Sequence, residues 1–176
     1  ECGFMLLANI ELMRDPVRRY HTGSQAFLPA RPDYIRKLPD TFLESPLLDR
    51  FHGIIPGWEI PPFAVEQQAN GFGLKADYFA EVYHAMRSAS HLAQEVRAKL
   101  RLSGGKRDCT AIERLACGLA KLLLIGPDDP AFDEYVVAPA EEMRRLVRTQ
   151  LNAIDPEEYP SQLQIIRIAA AGKSTT

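Results

Sequence analysis

Disulfides, membrane spans and a field of one charge are all missing from this sequence of 176 residues. Its three cysteines, Cys2, Cys109 and Cys117, are odd in number and form no Cys-x-x-Cys pair. That pattern speaks against a disulfide framework and fits a reducing compartment. No apolar run approaches the roughly 18 residues of a membrane-spanning helix. Nor does a basic segment, an apolar stretch and a cleavage site open the chain, so a soluble, cytoplasmic protein without membrane partners is expected. With 21 Lys+Arg against 23 Asp+Glu, the net charge of −2 provides no global basic field. Contact with nucleic acid would need a local patch or sequence outside this chain.

Proline is missing from the middle. Eight of the thirteen fall in residues 16–62, five in residues 127–160, and none in residues 63–126. Two architectures therefore share the chain. With 46% hydrophobic and 25% charged residues, there is material for one domain or two small ones.

The proline-rich part reads as strand, connection, short helix and strand. Residues 4–10, FMLLANI, form a continuous apolar run of strand length, as in a strand buried on both faces of a parallel sheet, and Asn9 lies at its end. The sequence starts at Glu1 and enters this strand at once, as a piece of something longer would. Residues 14–40 are rich in Pro, Arg and Tyr without clear periodicity, which predicts a loop with at most one short element. A helix is expected over residues 40–48 and a second strand over 51–55, before Pro56-Gly57 turns the chain away.

The proline-poor part reads as helical. Leu74, Tyr78, Val82, Met86, Ala89, Ala93, Val96 and Leu100 recur at three or four residues, placing one apolar stripe on a single helix over about 75–100. Thr110 and Glu113 have capping-box spacing ahead of Ile112, Leu115, Ala116, Leu119, Leu122 and Leu123, and Gly126-Pro127 ends that helix. A third helical region from about residue 131 is interrupted by Pro139, whose ring suits a first turn but not a helix interior. Glu141 and Glu142 then favour an N-terminal turn, and Met143, Leu146, Val147, Leu151 and Ile154 face inward.

Several residues could carry chemistry. An arginine at the edge of a short core strand can reach a neighbouring subunit's nucleotide, which draws attention to Arg50; pairing with Asp49 or a nearby acid on a solvated surface is the plain alternative. Arg14, Arg18, Arg19, His21, Arg31, Arg36 and Lys37 cluster in the connection, where they contact nucleic-acid phosphates or form a solvated loop. His84 and His91, near Glu81 and Glu95, could hold a metal in principle. A solvated helix face is preferred, because two turns separate the imidazoles by roughly 10 Å, so no metal is assigned. His52 is expected to pack at the strand edge rather than act as a base. Gly172-Lys173-Ser174-Thr175 imitates a phosphate-binding loop, but Arg167 stands where its first glycine belongs and no helix follows.

Taken in order, LLANI, SPLLDRFHGIIPGWEIP, GFGLKADYFAEV and RDCTAIERLACGLAKLL resemble the BrxL family, Lon-related AAA+ proteins of bacterial BREX phage-defence systems. The likeness covers about residues 4–151. More distantly the chain resembles MCM-type helicases, in which an arginine also follows a Leu-Leu pair before the last core strand.

The resemblance implies a fold that is mostly α with a small α/β part. Residues 1–62 would be the C-terminal strands of an AAA+ core, 63–160 a helical lid bundle, and 161–176 a frayed or artificial tail. It makes Asn9 the sensor that orients the attacking water, a polar side chain at a strand's C-terminal end; a strand-ending turn residue is the alternative. It makes Arg50 an arginine finger supplied in trans, neutralising charge on the transferring phosphoryl group. Arg107 becomes the second sensor, with Arg114 as its alternative. ATP and magnesium would serve the parent, which would self-associate into a ring acting on DNA, with any Lon-like protease domain after this segment. The GxxxxGK[ST] loop and the acidic strand end that holds magnesium would precede Asn9, so this piece alone should be inactive. A non-enzymatic helical interaction module is the competing class.

Overall fold

A computed structural model describes residues 5–167 except 69, 89, 161 and 164. Cys2, Phe4 and the Gly172–Thr175 motif lie outside the described residues. The described residues are mostly helical, with two small antiparallel sheets among them.

The expected first strand is not one: residues 5–11 have no regular structure, and Met5 and Leu7 are exposed. A strand inside a parallel sheet needs hydrogen-bonded neighbours at its edges and packed layers on its faces, and no described strand flanks this run. The connection, expected as loop, instead forms a hairpin of β1 (Leu12–Arg19) and β2 (Gln25–Pro29). The register runs from Leu12↔Pro29 to Arg14↔Phe27, then slips before Arg19↔Gln25. Pro16, which lacks an N–H, lies in the slip. There the N–H groups of Val17 and Arg18 donate to Asp15 Oδ1, both at 2.9 Å. At the tip the Gly23 N–H donates to the Tyr20 carbonyl at 2.9 Å, with Gly23 at φ 78°, a left-handed position that suits glycine. Almost all of β1 is exposed, so no alternation of apolar and polar residues announces it.

Beyond the hairpin, 3₁₀ turns at Tyr34–Lys37 and Asp40–Phe42 lead into a single helical turn, α1 (Ser45–Leu48). The helix expected over 40–48 is thus broken. Residues 51–56 form no strand. They run against a later helix, where the Ile54 N–H donates to the Met143 carbonyl at 3.1 Å.

The long helix expected over 75–100 is divided into α2 (Ala76–Arg87) and α3 (Ser90–Leu100). Ser88 and Ser90 flank the break, and serine competes for backbone hydrogen bonds. α3 buries Val96 and Leu100, whereas α2 buries nothing and exposes Tyr78, Phe79 and Tyr83. β3 (Leu102–Gly104) precedes α4 (Lys106–Leu123). α4 starts four residues ahead of Thr110, whose hydroxyl donates to the Lys106 carbonyl at 2.8 Å inside the helix, so the capping box does not form. α4 ends at Leu124, in the left-handed region at φ 57°.

A π-helical turn, Asp133–Val137, runs directly into α5 (Ala138–Ile154), with Pro139 in the first turn as expected. Last, β4 (Ile165–Arg167) pairs with β3, Leu102↔Arg167 to Gly104↔Ile165, so part of the expected tail is in a sheet. Two apolar clusters hold the chain together. One gathers Val96, Ile112, Ala116, Ala120, Val136 and Ala140 from α3, α4 and the π–α5 junction. The other gathers Ile35, Leu48, Val147, Leu151 and Tyr159. α5 contributes to both, and Arg144 lies between its two contributions.

Candidate functional site

The site grows from the end of α1. Leu48 is fully buried and fixes the start of segment 49–52, Asp-Arg-Phe-His. Asp49 is 7% exposed, and a carboxylate so placed needs compensating charge. Its Oδ1 accepts from Arg144 Nη2 at 2.7 Å and its Oδ2 from Arg107 Nη1.

Arg144, on the inward face of α5, is itself completely buried. Its Nε donates to Asp108 Oδ1 at 2.6 Å, and its Nη1 donates to the carbonyls of Asp49 at 3.1 Å and Phe51 at 2.6 Å. All three guanidinium nitrogens are engaged. Arg148 Nη2 completes Asp108 from 3.3 Å, while its guanidinium lies 5.7 Å from the Tyr159 ring centre. Two buried acids are thus held by three arginines from α4 and α5.

Three of the residues expected from sequence meet here. Arg107 contacts Asp49, Arg114 Nη1 is 3.1 Å from His52 Nε2, and Arg50 sits between those two positions of the segment. Arg50 is exposed; its Nη1 donates to the Pro46 carbonyl and it forms no ion pair among the described residues. Asp49, the partner that a surface pairing would supply, is taken by Arg107 and Arg144. Asn9 is not tied to this cluster: it is exposed in the irregular segment, with no hydrogen bond among the described residues.

The basic connection divides into two. Arg14, Arg18 and Arg19 lie on β1, with Arg18 3.1 Å from Glu59. Arg36 and Lys37 lie in the 3₁₀ turn, with Arg36 Nε 2.9 Å from Asp33. These two line a cavity of about 220 Å³ with Arg31, Asp33, Glu11, Ile10 and Tyr34. His84 and His91 fall on separate helices. Among the described residues no three of His, Cys, Asp and Glu gather as a metal site, and no helix is long and apolar enough to cross a membrane.

The electrostatics follow the contacts. Burial alone would raise the Asp49 carboxyl, but hydrogen bonds from Arg107 and Arg144, with their charges, hold it below the usual carboxylate value. The bond to Asp49 in turn raises Arg107. His52 is lowered, first by desolvation and then by the charges of Arg114 and Arg144, which favours the neutral imidazole. Burial raises the thiols of Cys109 and Cys117, leaving neither activated as a nucleophile.

Sequence reasoning missed Arg144, Arg148 and Asp108. A signal existed: Ala140, Arg144, Val147 and Leu151 share one helical face, and a cation within an apolar stripe marks a buried pair.

The comparisons with known proteins agree on one family. A family model for the Lon-like protease BrxL-like ATPase domain matches residues 1–164. The Lon-like protease BrxL of Escherichia coli O9:H4 (strain HS) is 37% identical over 125 residues, 69% of this chain. The Lon-like protease BrxL of Bacillus cereus (strain H3081.97) is 34% identical over 125 residues, 66% of this chain. In each case the match covers 18% of the relative's length. No solved structure gives a significant match.

Proposed function

The chain belongs to the family of Lon-like protease BrxL-like ATPase domains, and on that premise we propose that it is the later part of an AAA+ module whose Arg50 acts in trans on a neighbouring subunit's ATP. One observation carries the proposal: Arg50 is exposed and without an ion pair among the described residues, while the acid beside it is buried and already neutralised. A finger must present a charge that its own subunit does not cancel.

In this reading Arg107 is the second sensor, resting on Asp49 until a phosphate competes for it, and Arg114 is its alternative. Asn9 orients the attacking water, in a segment that becomes a strand only when the rest of the core sheet flanks it. The guanidiniums around segment 49–52 suit phosphate oxygens in charge and donor geometry. The buried carboxylates do not suit magnesium, since arginines occupy both Asp49 and Asp108; its ligands belong to sequence before Asn9, with the phosphate-binding loop. ATP when bound supplies the phosphoryl group, and Arg50 lowers the charge that develops on it.

The parent assembles as a cytoplasmic ring in BREX-type phage defence, and the β1–β2 hairpin and the 3₁₀ turn meet DNA phosphates through Arg18, Arg19, Arg36 and Lys37. Six Lys and Arg against two Asp over residues 12–37 support that contact. A second reading, a non-enzymatic helical interaction module, is favoured by α2, whose Tyr78, Phe79 and Tyr83 are exposed.

The experiment that tests the ATPase reading is Arg50→Ala in the full-length protein. Turnover should disappear while nucleotide binding and assembly persist. Undiminished hydrolysis would remove Arg50 from the mechanism.

A further inference from the structure

We infer that Arg144 is the positioning residue for Arg50, an inference that rests on the finger reading and names what holds the finger in place. A single nitrogen of Arg144, Nη1, donates to the carbonyls of Asp49 and Phe51, the residues on either side of Arg50. Its Nη2 holds the Asp49 side chain, and its Nε ties the group to Asp108 on α4. One buried guanidinium therefore fixes the backbone on both sides of the exposed arginine.

The following residues keep the segment against the same helix. A Cβ added at Gly53 would lie 2.8 Å from Met143 Cβ and 3.0 Å from Leu115 Cδ1, so the chain passes directly over α5 and α4. Ile54 then bonds to the Met143 carbonyl at 3.1 Å. Arg50 thus has a fixed Cα and a long side chain that remains exposed, as a group that must meet a reacting phosphate in another subunit requires.

Charge balance alone does not explain this geometry. Neutralising Asp49 and Asp108 requires a cation near both, but the two carbonyl bonds add nothing to that balance. A planar fork with five donors can hold two carboxylates and two carbonyls at once; an ammonium with three donors cannot. Lysine at 144 thus separates the two roles: it retains the charge and releases the backbone around Arg50.

The test is steady-state ATP hydrolysis by the full-length protein with Arg144→Lys, alone and combined with Arg50→Lys. Alone, it should lower kcat by about 10- to 100-fold while KM and nucleotide affinity stay within about twofold, the pattern of a misplaced catalytic group rather than a lost binding contact. Added to Arg50→Lys it should lower kcat no further, because both changes act through one side chain. Unchanged kcat in a folded Arg144→Lys protein, or losses that multiply in the double variant, would overturn the assignment. Full turnover in Arg50→Lys and Arg50→Ala would instead sink the finger reading and this inference with it. If Arg144→Lys does not fold, Asp108→Asn, which loosens the Arg144 Nε anchor without changing side-chain size, carries the same two expectations and the same overturning results.

Discussion

A buried arginine, an exposed one and a glycine set the position of segment 49–52. Arg50 stands out in the sequence because its neighbours carry the family pattern; Arg144, although its place in an apolar stripe marks it, is easily passed over, because an arginine on a helix ordinarily reads as solvated, and only the structure sets that helix between two apolar clusters. Arg107 occupied an intermediate position. Its place near the start of α4 was readable, though it lies inside the first turn rather than ahead of it; its partner was not, since Asp49 is 58 residues away. Gly53 offers the clearest residue-scale test. A methyl there would meet Met143 Cβ at 2.8 Å, and a β-carbon fixed to a helix backbone cannot swing aside. Gly53→Ala should therefore destabilise the chain by about 1–3 kcal/mol, the usual cost of overpacking. Gly57→Ala, where nothing lies within 4 Å of the added carbon, provides the control. Denaturant midpoints of the two variants decide the matter: equal midpoints would mean that segment 51–55 does not press on α5 as described.

Among the elements, those with their own periodic face were legible and those that depend on neighbours were not. α4 and α5 have apolar stripes that a reader can count, and Pro139 falls in the first turn of α5. The β1–β2 hairpin escaped notice because β1 is almost wholly exposed, and hence not alternating, and because Pro16 interrupts it. The apolar run at 4–10 suggested a strand because composition cannot indicate whether flanking strands exist. The ends of α4 teach a finer lesson. Its start lies ahead of the apparent capping box, and its end relies on Leu124 in a left-handed conformation at φ 57°, a position usually given to glycine. Leu124 is 76% exposed, so little apolar burial opposes a change. Leu124→Gly should stabilise the chain by about 1 kcal/mol, relieving the clash between Cβ and carbonyl that an L-residue suffers there. The thermal midpoint should rise; a fall would show that the leucine side chain contributes more than its backbone costs.

Across the whole molecule, two apolar clusters are joined by one charged network, and the network sets how stability responds to acid. Asp49 and Asp108 are nearly inaccessible, at 7% and 4% exposure, and among the described residues Arg144 alone touches both. Removing one partner from a buried ion pair costs about 3–5 kcal/mol when the remaining charge is left unpaired; here Arg107 stays on Asp49 and Arg148 on Asp108, so the charge is stranded only in part. Arg144→Met, similar in length but uncharged, should therefore cost about the lower end of that range near neutral pH. The pH dependence distinguishes stranded charge from lost packing. In the native chain the Asp49 carboxyl is held below its ordinary 3.8. Its contribution is therefore complete above 3.8 and is lost as pH falls through the lower folded value. Without Arg144, the burial that already pushes Asp49 upward is opposed by Arg107 alone. The folded carboxyl then takes up a proton at higher pH than before, which relieves the stranded charge. The stability gap between native and Arg144→Met chains should thus be widest near neutrality and narrow as pH falls toward about 4. Urea titrations across that range measure it directly. A gap independent of pH would mean that Arg144 contributes by filling space, and that the clusters are joined by shape rather than by charge.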